Sequence, residues 1–165
     1  FEASSKGKVE SDLFRPNYYA EKSDTGRRKE EKTMQYLKHG IELSTKKIPK
    51  PYWQDPDKQL DTLDPMSSIV YILRDQKEAN ICQQNFAMFD GIRRVKRKFT
   101  HGEKTSDGHF RCHGVYTRVG GYSQKELKDG TNFPFNVNYK IKSAVYTVVA
   151  FEITTNRGRA KFVRK

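Results

Sequence analysis

The chain has 165 residues, 35% hydrophobic and 32% charged, with a formal net charge of +12. That length suits one domain, residues 1–165, while the low apolar fraction excludes a thick multilayered α/β core and favours a sheet with one wet face or a half-open barrel. Nine Tyr and ten Phe argue against disorder, and the charge admits nucleic acid, anionic membranes or acidic glycans as partners, with solvated strand faces as the plainer alternative.

Residues 1–9 and 13–21 read as two strands, with Gly7 a bulge or bend, and Ser23-Asp-Thr-Gly26 as a turn. Residues 27–37 and 41–47 form a hairpin around Lys38-His39-Gly40, with Met34 and Tyr36 alternating on one arm and Ile41 and Leu43 on the other. Two prolines keep Ile48-Pro-Lys-Pro-Tyr-Trp53 out of a ladder interior. The stretch Leu63-Asp-Pro-Met-Ser-Ser-Ile-Val-Tyr-Ile-Leu73 is the one clear buried helix. Asp64 can cap it, Pro65 suits its first position, and Met66, Ile69, Val70 and Leu73 make one apolar stripe. The helix is expected to run on to about Ala79.

Strands follow at 82–89 and 92–100 around the hairpin signal Asp90-Gly91, then a polar loop at 101–108 and a strand at 110–118. Residues 124–129 suggest one helical turn. The C-terminus reads as a meander of 135–141, 144–154 and 159–164. Val145, Thr147, Val149, Phe151 and Ile153 are expected on one face of its long strand, and Tyr146, Val148 and Ala150 on the other. A strand apolar on both faces belongs mid-sheet, under the helix. The expected fold is mainly β: a curved antiparallel sheet or open β-barrel (β-spiral) wrapped around one central helix.

Cys82 and Cys112 both stand in strand-like sequence. An even count in a small basic protein suits one disulfide in an oxidising compartment, which would close a loop worth roughly 3–4 kcal/mol. Two reduced buried thiols are the alternative. With no signal peptide, no transmembrane run and Phe1 in place of Met, a processed or truncated exported chain is expected.

His101, His109 and His113 near Cys112 invite a zinc reading. On a regular strand, however, His109 and His113 lie about 13 Å apart on one face and Cys112 points to the other, so no metal site and no cofactor is expected. His101, Glu103, Lys104 and His109 hold the residue types of a ribonuclease-like acid–base pair, but in a polar loop with no framing motif. Asp61, Asp64 and Glu78 read as caps and solvated positions rather than catalytic carboxylates. Arg93, Arg94, Lys96, Arg97 and Lys98 form the densest basic patch. On a strand Arg94, Lys96 and Lys98 share one face, while Arg93, Val95, Arg97 and Phe99 share the other. An apolar cavity between sheet and helix, able to hold a lipid or acyl chain, is the competing site.

Several motifs recur in order: Phe14-Arg-Pro-x-x-Tyr19, Arg27 and Arg28, Asp64-Pro-Met-Ser-Ser-Ile-Val-Tyr-Ile-Leu73, Phe89-Asp-Gly-x-Arg-Arg94, Cys112-x-Gly-x-Tyr116-x-x-Val119-x-Gly121-Tyr122 and Thr154-x-x-Arg-Gly158. Over nearly its whole length the chain resembles the exported proteobacterial proteins known as domain of unknown function 3108, in the form with a cysteine pair. The resemblance implies a periplasmic curved β-sheet similar to lipoprotein carriers, with a helix on its concave side and a Cys82–Cys112 bridge. It implies no known activity, and it implies opening strands ahead of Phe1.

These readings together predict a non-enzymatic periplasmic protein that binds a lipid, lipoprotein or cell-wall component and supports the envelope. Ile69, Leu73, Phe89, Ile92, Phe110, Tyr116, Val149 and Phe151 are the candidate cavity or core residues. A secreted protein gripping nucleic acid or an anionic surface through Arg94, Lys96 and Lys98 is the alternative, and a hydrolase the third.

Overall fold

In a computed structural model, described for residues 1–164, alternating apolar and charged residues build two sheets rather than one wrapped barrel. The first is a meander of β1 (Glu2–Glu10), β2 (Leu13–Asp24), β3 (Lys29–Leu37) and β4 (Gly40–Thr45). As expected for Gly7, the β1–β2 register shifts between Lys6 and Gly7. After β4 comes a connector with Pro49, Pro51 and Pro56, residues that cannot donate to a ladder. The sheet stops there, and the strands form two separate sheets rather than a closed barrel.

The second sheet holds β5 (Thr62–Leu63), β6 (Gln76–Lys77), β7 (Asn85–Phe89), β8 (Arg94–Lys104), β9 (Phe110–Gly120), β10 (Asn132–Lys142), β11 (Val145–Thr155) and β12 (Gly158–Val163). Its order is β12-β11-β10-β9-β8-β7-β5, with β6 paired to β11 and β5 parallel to β7. Three strand expectations need correction. The strand expected from Cys82 begins only at Asn85, and Cys82 lies in a turn with a φ of 57°. The polar loop begins only after Lys104, so His101 and Glu103 lie on β8, where they oppose His113 and Arg111. Strand β11 is second from the edge, not mid-sheet.

The expected division of β11 into two faces also fails, for a local reason. Asn138 opposes Ala150, but Tyr139 opposes Val148, so Val149 is an extra residue. A one-residue bulge reverses which face each side chain takes. Tyr146 and Val148 therefore share a face with Phe151 and Ile153. Aromatic contacts agree: Tyr139–Tyr146 and Phe135–Phe151 have ring centroids 6.4 and 5.8 Å apart.

Helix α1 (Pro65–Leu73) begins where the sequence indicates, with Asp64 Oδ1 accepting from the Ser67 N–H at 2.9 Å. It ends at Leu73, six residues short of the expected end. Arg74 is extended there, with its guanidinium 4.6 Å over Tyr71 and 5.5 Å over Phe14. Asp75 then accepts from the Val148 N–H and from Arg164, drawing the chain onto β11. The fully buried helical side chains are Ser68 and Ile72, whereas Ile69 and Val70 are nearly half exposed. Instead of plugging a barrel, α1 joins the two sheets. Ser5 donates to Asp64 at 2.8 Å and Phe14 packs edge-on to Tyr71 on one side. Ile72 enters the core of the larger sheet, and Tyr71 meets Phe86, on the other. A second helix, α2 (Gln124–Lys128), forms at the expected turn.

Cys82 and Cys112 are bridged, with Cα atoms 5.3 Å apart. Gly102 opposes Cys112, and a Cβ there would come within 2.6 Å of the Cys82 sulfur. Only glycine leaves room for the bridge at that point.

Candidate ligand cleft

Along β8 to β12, register places Arg97, Tyr116, Phe135, Phe151 and Ile153, and Phe162 on the face that meets α1. Ile69, Ile72 and Leu73 face them from the helix. Sheet and helix do not close on each other fully. An apolar cleft of about 290 Å³ remains, near the lower end of the range for small-molecule sites, about 300–1,000 Å³. From β8 to β12 is four strand steps, so the cleft runs across the strands for about 19 Å at ~4.8 Å per step. Gly114 shapes its floor: the ring of Phe135 lies so close over it that any side chain there would collide. Past Phe162 a second hollow opens, sharing Leu73 and Phe151 and edged by Arg74, Asp75 and Arg164.

One charged group stands in this apolar lining. Arg97 reaches from β8 and donates to Ser68 Oγ at 3.1 Å, while Ser68 donates onward to the Pro65 carbonyl. Its guanidinium also lies 5.6 Å over the Tyr116 ring. Among the described residues no carboxylate pairs with it. Burial pushes its pKa down, yet a guanidinium remains protonated at neutral pH. Arg97 is only partly buried, so beside its one neutral hydrogen-bond partner it keeps donor capacity open to the cleft mouth, which an anion can accept.

The residues expected to form a cavity separate into groups. Ile69, Leu73, Tyr116 and Phe151 line the cleft. Phe89 is fully buried elsewhere, packed with Tyr19, Met34 and Ile41 between the two sheets. Ile92 lies in the Asp90–Arg93 loop beside Trp53, and Phe110 packs edge-on to Tyr146 near the disulfide. Val149, the bulged residue, has no part in the lining. Ile72, Phe135, Ile153 and Phe162 complete the cleft and were not singled out from sequence. Their positions depend on register across five strands, which single-strand patterns do not carry. The cysteine bridge is present as the family resemblance implied.

The basic block is not a single patch. Arg93 pairs with Glu126 at 2.7 Å, and Arg94 grips Asp61 through two hydrogen bonds of 2.8 and 2.6 Å. Lys96 and Lys98 remain exposed on the outer face, and Arg97 is turned inward. His101 and His113 lie on that outer face too. His101 stacks on His113 with centroids 4.4 Å apart, and His113 Nε2 is 3.0 Å from Glu103, whose carboxyl this hydrogen bond holds below its ordinary range. His109 pairs instead with Asp107 in the turn, and Lys104 opposes Phe110 on the inner face. The four residues of the acid–base reading therefore do not converge on one point. Cys112, being oxidised, is no longer available as a metal ligand.

No protein-family model, curated protein or solved structure matches the chain.

Proposed function

We propose that this protein is a non-enzymatic binder of an amphiphile with one anionic head. The hydrocarbon tail lies in the cleft between α1 and β8–β12, and the head meets Arg97. The carrying observation is the unpaired guanidinium in an otherwise apolar lining. Apolar contact supplies affinity, and the charge-assisted hydrogen bonds select the head. The family resemblance adds a periplasmic location and an envelope-supporting role to the same reading, and the Cys82–Cys112 bridge suits an oxidising compartment. A polyanion grip through Arg94, Lys96 and Lys98 draws less support, because Arg94 is already held by Asp61.

Calorimetric titration of the oxidised protein with a long-chain fatty acid and with the matching alcohol tests this. The acid is expected to bind tenfold or more tighter, the usual scale of one charged hydrogen bond. Arg97→Gln should remove that preference while leaving alcohol binding in place. Equal affinity for acid and alcohol in the wild type would overturn the role of Arg97. No uptake of either would overturn the amphiphile reading.

A further inference from the structure

The connector between β4 and β5 carries a second surface, with its own chemistry. Lys46-Lys-Ile-Pro-Lys-Pro-Tyr-Trp53 projects from the end of the first sheet. Ile48 is 84% exposed, more than any other large apolar side chain among the described residues. Three lysines flank it. Lys47 pairs with Glu30 at 2.6 Å, whereas among the described residues Lys46 and Lys50 have no carboxylate partner. The loop is stiff: Pro49 and Pro51 fix their backbone angles, the Trp53 N–H donates to the Lys50 carbonyl at 2.9 Å, and the Gln54 N–H donates to the Ile92 carbonyl at 3.0 Å. Behind it lies an open groove of about 580 Å³, walled by Tyr52 and Trp53 and edged by the ion-paired Arg28, Lys29 and Arg93 together with Glu30 and Glu31.

An exposed aliphatic tip, lysines around it and Tyr and Trp at its base match the layers of a bilayer surface. Hydrocarbon accepts the tip, the headgroup level accepts amphipathic rings, and anionic phosphates attract the lysines. A soluble polyanion would account for the lysines but gives Ile48 nothing to do. We propose that residues 46–53 dock the protein on an anionic membrane, with Ile48 inserted, Tyr52 and Trp53 at headgroup depth, and Lys46 and Lys50 against the phosphates. This inference stands independently of the amphiphile cleft, since the two surfaces share no residue.

Trp53 is the only tryptophan, so its emission reports this surface alone. The test adds vesicles of phosphatidylglycerol mixed with phosphatidylcholine, vesicles of phosphatidylcholine alone, and soluble polyphosphate to the full chain. Docking predicts co-sedimentation with the anionic vesicles only, a shift of Trp53 emission to shorter wavelength, and quenching by brominated lipid tails. Ile48→Asn, at an exposed position, should lower partitioning without touching the fold. Lys46→Gln with Lys50→Gln should lower it about 25-fold, at roughly fivefold per lysine. Unchanged Trp53 emission with anionic vesicles would overturn the proposal. So would wild-type partitioning by Ile48→Asn, or an equal spectral shift with polyphosphate.

Discussion

The two sheets use the same alternating pattern but hold together differently. In β1–β4, charge answers charge across the strands: Glu21 opposes Lys32, Lys22 opposes Glu31 and Asp24 opposes Lys29, with ion-pair distances of 3.1, 3.6 and 3.1 Å. The apolar core of this sheet is small, made of Tyr19, Met34 and Ile41, and it is completed by Phe89 from the other sheet. In β7–β12, a broad cluster from Ile72 to Val148 surrounds the disulfide. A sheet with few apolar residues can still fold when a neighbour lends it a core, and the neighbour can then leave part of its own apolar face open as a cleft. The sharpest way to break this arrangement is Phe89→Ala. The truncation should destabilise by about 3–5 kcal/mol in chemical denaturation, with hydrogen exchange rising first in β1–β4. Exchange rising evenly through both sheets would mean that they unfold as one unit. Removing the bridge by Cys82→Ser with Cys112→Ser should cost about 3–4 kcal/mol and act first on the turn before β7 and on β9, the two segments it joins.

Much of the fold was legible because its causes are local. The Asp64 cap, the Gly7 bulge, the Asp90-Gly91 hairpin and nearly every strand follow from neighbours in sequence. What was not legible depends on long-range pairing. Helix α1 stops at Leu73, where Arg74 lies over Phe14 from the other sheet, and β11 changes face because β10 skips Val149. The site divided in the same way. Alternation alone placed Arg97 beside Val95 and Phe99, away from Lys96 and Lys98. Its role depends on Ser68 and Phe135 standing opposite, with no carboxylate paired to it among the described residues.

Smaller perturbations sharpen the contrast between the joint and the periphery. Asp64 is fully buried at the junction and accepts from Ser5 Oγ, the Ser67 N–H and Ser67 Oγ. Asp64→Ala should cost about 1–3 kcal/mol by uncapping α1 and leaving those donors unanswered. A double-mutant cycle with Ser5→Ala separates the link between sheets from the cap. Coupling near zero would show that the Ser5 contact adds nothing. At the periphery of the larger sheet, Ser123 and Glu126 form a capping box on α2. Hydrogen bonding from the Ser123 N–H, then from its hydroxyl and Arg93, holds Glu126 down to about 2 from its ordinary 4.5. A lowered carboxylate stabilises the fold above the unfolded value and loses that effect as pH falls through the folded one. Glu126→Gln should therefore cost about 1 kcal/mol at neutral pH. The difference from wild type should shrink between pH 4.5 and 2, and a constant difference across that window would assign it to packing.

The smallest expected effects decide what the charges of the first sheet do. Lys22 and Glu31 are 66% and 60% exposed, so a double-mutant cycle should find only about 0.2–1 kcal/mol between them. Lys32 and Glu21 are 17% and 20% exposed and lie beside the buried Tyr19, whose hydroxyl donates to Glu21 at 2.6 Å. At 1 M salt the screening length falls to about 3 Å, which removes the exposed coupling but reaches a half-buried pair poorly. The Lys22–Glu31 coupling should therefore vanish in high salt while the Lys32–Glu21 coupling persists. If both vanish, the charges of β1–β4 only set strand register, and its stability comes from Phe89 and the helix joint. If the inner pair survives, the triad of Tyr19, Glu21 and Lys32 belongs to the core of this sheet and compensates for its shortage of apolar residues.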